Sequence, residues 1–180
     1  MSFKSKNVNW DNVQEAQDFP KVVSGGYVCR ITSVEDVEDR EYLKIEFDIA
    51  EGDLSGHYKE LYKAKGFWGG SFIRSYKDSA LPFFKAFKTA VEESNPGYKF
   101  NNDESTLIGK YIGLTIGTEE YEAKDGSTKT RQYVDKARSV ASIRAGDFDI
   151  PEDRLLKKTS ENNSPVPADD VSLADLPFDI

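Results

Sequence analysis

Cysteine and histidine are nearly missing from this 180-residue chain: Cys29 and His57 are the only ones. One cysteine makes an intrachain disulfide impossible, and a Cys/His zinc cluster cannot be assembled. Cys29 lies in the alternating run GYVCRIT, where a small buried thiol is expected rather than a nucleophile. Nothing around His57 reads as a nucleophile or oxyanion motif. Long apolar runs are also missing. No stretch approaches the ~18–20 residues that span a bilayer. The opening MSFKSKNVNW has no apolar core of a secretory signal, so the expected compartment is the cytoplasm, with no membrane partner. No Gly-rich loop ending in Lys-Ser/Thr appears, nor GxGxxG, nor HExxH. No cofactor is expected, and the chain does not read as an enzyme.

Positive charge is in short supply overall. The formal net charge is −8, which at first argues against a nucleic-acid partner. The acids are unevenly placed, however. Residues 146–180 hold nine acids against Arg154, Lys157 and Lys158, which leaves only −2 on residues 1–145. A body that close to neutrality has room for a basic face.

Hydrophobic residues make up 38% and charged residues 31%, enough for one ordinary domain and a tail. Residues 1–24 read as a lead-in, with Trp10, Val13 and Ala16 on one side of a short helix packing on the domain. Tyr27–Val34 alternates as a strand, followed by an acidic turn, Glu35–Glu41. Tyr42–Ile49 alternates strictly, with Leu43, Ile45, Phe47 and Ile49 inward. A third strand is expected over His57–Lys65, with Tyr58 and Tyr62 on one face. Ala80, Phe83, Phe84, Phe87 and Val91 form the stripe of a helix over Ser79–Glu93, with Asp78 or Ser79 as its cap and Pro82 in its first turn. Lys110–Gly117, extended by Glu119–Ala123, is a fourth strand. A hairpin turn at Asp125-Gly126 leads to a fifth, Lys129–Val140.

The expected fold is therefore mainly β: a five-stranded OB-fold Greek-key barrel over residues 25–150, with one helix between strands 3 and 4. Residues 151–180 are expected to be a flexible acidic tail, disordered over about 158–171. In this fold, strands 2 and 3 and the 1–2 and 4–5 loops face the ligand. Single-strand binders combine a cationic groove with aromatic rings on which bases stack. Two clusters interleave the two residue types. Tyr58, Lys59, Tyr62, Lys63, Lys65, Trp68 and Arg74 form the first, with Phe67, Tyr76 and Lys77. Lys124, Lys129, Arg131 and Tyr133 form the second, with Tyr121, Lys136 and Arg138. Lys44 joins them from the wet face of the second strand. Phe67 and Trp68 have two readings, plugging the barrel or stacking on bases. Acidic pairs such as Glu35-Asp36 and Glu119-Glu120 admit a metal-dependent nuclease as a remote alternative, but a solvated turn is their ordinary explanation. An OB-type protein-interaction adaptor is the nearer alternative.

The segments GGYVCRITSVEDVEDREYLKIEFDIAEGDLSGHY, GFWGGSFIRSYKDSALPFFKAFKTAVEESNPGYKF and GKYIGLTIGTEEY resemble a family of phage and prophage proteins from Gram-positive bacteria. The resemblance covers about residues 7–150, with FWGGSFIRSYK and ALPFFKAF its most specific stretches. It implies an OB-fold and sequence-nonspecific binding of single-stranded DNA in phage replication and recombination, within the host bacterial cell. The tail Asp169-Asp170-Val-Ser-Leu-Ala-Asp175-Leu176-Pro177-Phe178 is similar to the acidic C-termini of bacterial single-strand-binding proteins, with Asp179 and Ile180 added after it. That likeness implies recruitment of replication or recombination proteins through the apolar tip; a solubilising tail is the plain alternative. Self-association into a homo-oligomer is compatible with such a barrel.

Overall fold

The structure is a computed structural model describing residues 6–13, 15 and 18–156. Its centre is one antiparallel five-stranded open sheet: β1 (Gly25–Val37), β2 (Tyr42–Ile49), β3 (Ser71–Ser75), β4 (Tyr111–Glu122) and β5 (Thr128–Arg138), in the order β3-β2-β1-β4-β5. Strand β1 is 13 residues long and serves two partners. Its first half pairs β4 and its second half pairs β2, and the register slips between Ile31 and Ser33. A bulge of this kind bends the strand and raises its twist.

The alternation in β2 survives intact: Leu43, Ile45, Phe47 and Ile49 are all buried. Antiparallel partners share a face, so Cys29 and Ile31 of β1, Phe72 of β3 and Ile112, Leu114 and Ile116 of β4 join them. Fully burying each such aliphatic or aromatic side chain contributes ~1.5–3 kcal/mol. Helix α2 (Leu81–Ser94) closes this core with Phe87, Ala90 and Val91. Pro82 sits in its first turn, but neither Asp78 nor Ser79 caps it with a side chain; both belong to a preceding 3-10 turn, Asp78–Ala80. Phe83, expected in the apolar stripe, is instead 72% exposed.

The region between β2 and β3 departs from expectation. Residues 57–65 are not a strand but helix α1 (His57–Lys65), and the third strand is the short run Ser71–Ser75. The single helix between strands 3 and 4 is thus one of several: α1 precedes β3 and α3 (Val140–Arg144) follows β5. The cause is local. Gly56 and Gly66 bracket α1 with positive φ of 76° and 78°, a conformation that glycine adopts without penalty. The buried carboxylate of Asp48 then anchors the helix start. Its Oδ1 accepts from the Ile49 and Tyr58 amides, both at 2.9 Å, and its Oδ2 from the Lys59 amide at 3.2 Å. Donors that no helical carbonyl can reach are satisfied in this way. Tyr58 drives its ring into the core, edge-on to Phe47 at 5.5 Å.

Toward the N-terminus, Trp10–Asn12 forms only a 3-10 turn, with Trp10 and Val13 exposed; Ala16 lies outside the described residues. Among the described residues, no helix is long and apolar enough to cross a membrane.

Candidate nucleic-acid interface

The strand register fixes which loops share an end of the sheet. Ile49, the last residue of β2, pairs with Cys29 near the start of β1. Strand β4 runs past that start: Ile116 faces Gly25, and residues 117–122 overhang. The α1 segment and the β4–β5 hairpin therefore leave the sheet at one end. The β1–β2 turn leaves at the other, and its residues Glu38, Asp39 and Glu41 outnumber Arg40. Acids also stand at the first end, with Glu60 on α1 and Glu119, Glu120, Glu122 and Asp125 on the hairpin, interleaved with its lysines.

Helix α1 and its exit carry the first cluster. Tyr62 is 52% exposed and Phe67 51%. The Tyr62 ring lies 6.1 Å from that of Trp68, tilted by 51°. Trp68 is half-buried, and its indole N–H donates to the Phe47 and Gly70 carbonyls, both at 3.1 Å. Those bonds fix the indole beside the exposed ring of Tyr62. Lys59 and Lys65 are exposed, and Lys63 pairs with Glu60 at 2.9 Å at the helix surface. Burial lowers the His57 pKa below its ordinary value, with Asp48 opposing, which disfavours the charged imidazole. The cationic character of α1 comes from its lysines.

Other members of this cluster are placed differently. Tyr58 is 2% exposed and belongs to the core; burial also raises its phenol pKa. Arg74 pairs across from Leu43, so it lies on the core-facing side of the sheet. Its guanidinium sits 4.8 Å from the Phe72 ring centroid and donates to the Ile73 carbonyl at 3.1 Å. Burial pushes its pKa down to about 10, with Asp135 opposing, and it stays charged at neutral pH. Lys44 sits half-buried on the outer face, flanked by Glu35 of β1 and Ile73 of β3. The sheet does not bring Arg74 or Lys44 to the α1 surface, and Tyr58 is buried beneath it.

The second cluster forms a file along one face of the β4–β5 ribbon. The cross-strand pairs Tyr121/Lys129, Glu119/Arg131 and Gly117/Tyr133 share that face. Arg131 lies over the Tyr121 ring at 4.9 Å and donates to Glu119 at 2.7 Å. Lys129 is exposed, and Lys124 is exposed in the turn, where Asp125 accepts from the Ser127 amide and hydroxyl. Tyr133 is only 9% exposed. Its hydroxyl donates to the Glu152 carbonyl at 2.8 Å, and the Arg154 guanidinium covers its ring at 3.8 Å. Sequence reasoning missed Arg154, which it assigned to the tail, and Asp48, which it placed on the wet face. Neither residue carries a pattern that announces its partner.

The tail residues Asp169, Asp170, Asp175, Leu176, Pro177 and Phe178 lie outside the described residues. Among the described residues, no group of three or more His, Cys, Asp or Glu side chains is placed to hold a metal ion. No protein-family model matches the chain, and no curated protein matches it in sequence.

Proposed function

We propose that this chain binds single-stranded DNA without reading its sequence, at the end of the sheet that carries α1 and the β4–β5 hairpin. The observation that carries this reading is the surface of α1 and its exit. Two half-exposed aromatic rings, Tyr62 and Phe67, alternate there with Lys59, Lys63 and Lys65. Aromatic faces stack on any base and lysines neutralise the backbone, which is what sequence-tolerant single-strand binding requires. The hairpin adds Lys124, Lys129 and Arg131 at the same end. Lys44 and Arg74 contribute at most to the potential around it.

The strands fit an OB-type barrel in this reading. A long, bent β1 shared between β2 and β4, a helix between β3 and β4, and β3 and β5 as the two edge strands support this reading of a partly open five-stranded barrel. The proposed setting is phage DNA replication and recombination in a bacterial cytoplasm. Residues 169–178 recruit partner proteins there, and copies of the chain associate along the strand.

A second reading, a protein-interaction adaptor, is favoured by one observation: Phe83 and Leu81 stand 72% and 45% exposed at the start of α2. The two readings separate in one titration. Fluorescence anisotropy of a labelled ~30-nucleotide oligo-dT, against the matching duplex, is expected to show single-strand binding that weakens steeply with salt and a much weaker duplex. Absence of binding by the full-length protein at low salt, or equal affinity for the duplex, overturns the single-strand reading in favour of the adaptor.

A further inference from the structure

The segment after α3 does not leave the domain directly. Pro151 is buried, and the Ser24 hydroxyl donates to Asp153 at 3.2 Å. Arg154 then forms a parallel bridge to Glu119 on the overhanging part of β4. Its amide donates to the Thr118 carbonyl at 2.9 Å, and the Glu120 amide donates to the Arg154 carbonyl at 2.8 Å. The Leu156 amide donates to the Glu120 carboxylate at 3.2 Å.

Side chains complete the contact. Tyr133 lies flat on Gly117, where a β-carbon would come within 2.5 Å of the ring. Arg154 lies over that ring at 3.8 Å, and its guanidinium stands 3.8 Å from Glu119. Glu119 already holds Arg131, which itself covers Tyr121. In this state each tyrosine of the file has an arginine over it, and one glutamate ties both arginines. The ribbon thus carries every group that single-strand binding needs, with its innermost ring closed off. Arg154 and the Glu152 carbonyl come from outside the two strands, so their attachment can be released without opening the β4–β5 pairing.

We propose that residues 152–156 are a latch on this interface: Arg154 occupies the stacking position on Tyr133, and a bound strand displaces it with a base. The inference rests on the single-strand reading above and adds a regulatory state to the same site. A binding-competent form that is only partly populated lowers the apparent affinity by its population. Loosening the latch therefore tightens binding, even though it removes a positive charge. A residue that merely contacts phosphate does the reverse.

The test uses the full-length protein and labelled oligo-dT. Arg154→Ala is expected to tighten binding by about 2- to 10-fold, the strength of a cation–π contact at a partly exposed ring. Arg154→Lys, which keeps the charge but not the planar stack, is expected to fall between it and the unaltered protein. Adding Tyr133→Leu to Arg154→Ala removes the gain. Hydrogen exchange supplies a reading that does not depend on any variant: the Arg154 and Glu120 amides lose protection when oligo-dT saturates the protein. If the unaltered protein binds but Arg154→Ala weakens or leaves its affinity, the latch is overturned and the binding reading stands. Retained or increased protection of those two amides on binding also overturns it. If neither the unaltered protein nor Arg154→Ala binds oligo-dT at low salt, the single-strand reading fails and takes the latch with it.

Discussion

Replacing Tyr62 and Phe67 together by alanine is expected to weaken oligo-dT binding by about 30-fold or more, because each stacked base contributes ~1–3 kcal/mol. Both rings are at least half exposed, so the substitution removes little packing and the fold should survive. Tyr62→Phe keeps the stacking face and is expected to keep most of the affinity, which separates stacking from any role of the hydroxyl. Anisotropy titration of the two variants beside the unaltered protein reads the difference. An unchanged affinity in the double alanine variant would mean that the rings cover protein or solvent and not bases.

Asp48→Ala is the second large effect, and it acts on the scaffold beneath those rings. The substitution strips three backbone donors, the amides of Ile49, Tyr58 and Lys59, of a common acceptor at a buried site. Losing a charged helix cap there is expected to cost about 2–4 kcal/mol. For a chain of this size that lowers the melting temperature by about 5–15 °C. Asp48→Asn keeps one acceptor oxygen and should lose less. Thermal unfolding followed by circular dichroism checks both. A melting temperature unchanged in Asp48→Ala would mean that Tyr58 and the flanking glycines alone set the helix.

Residue spacing explains what could be read in the sequence. Strict alternation made β2 legible, because Leu43, Ile45, Phe47 and Ile49 have no competing helical pattern. Tyr58 and Tyr62 are four apart, a spacing that satisfies both a period of 2 and a period near 3.6. What distinguishes them is the run between: His57–Lys65 holds no β-branched residue, and glycine stands on either side. That was the available signal for a helix. The true β3 is five residues long and follows Gly69-Gly70, too short for periodicity to mark it.

Misplacing β3 also misplaced Arg74, since a strand's register decides its face. Aromatic residues were ambiguous for a different reason. Burial and base stacking select the same side chains, so Tyr58 looked like Tyr62 and Phe67 until its exposure was known. The lysines of α1 and of the hairpin were legible as a set. Their shared end of the sheet follows only from the pairing of β4 with β1. Arg154 was hidden by its setting, an acidic stretch with no apolar rhythm to suggest a return to the sheet.

The central claim is that the α1 surface holds the backbone of a single strand, and the salt dependence of binding tests it most directly. Each phosphate contact on a single strand contributes roughly 0.7 to the slope of log affinity against log salt. Neutralising Lys59, Lys63 and Lys65 to glutamine is therefore expected to lower that slope by about 2, with weaker binding at low salt. A slope equal to that of the unaltered protein would show that these lysines touch no phosphate, and the proposed interface would be wrong.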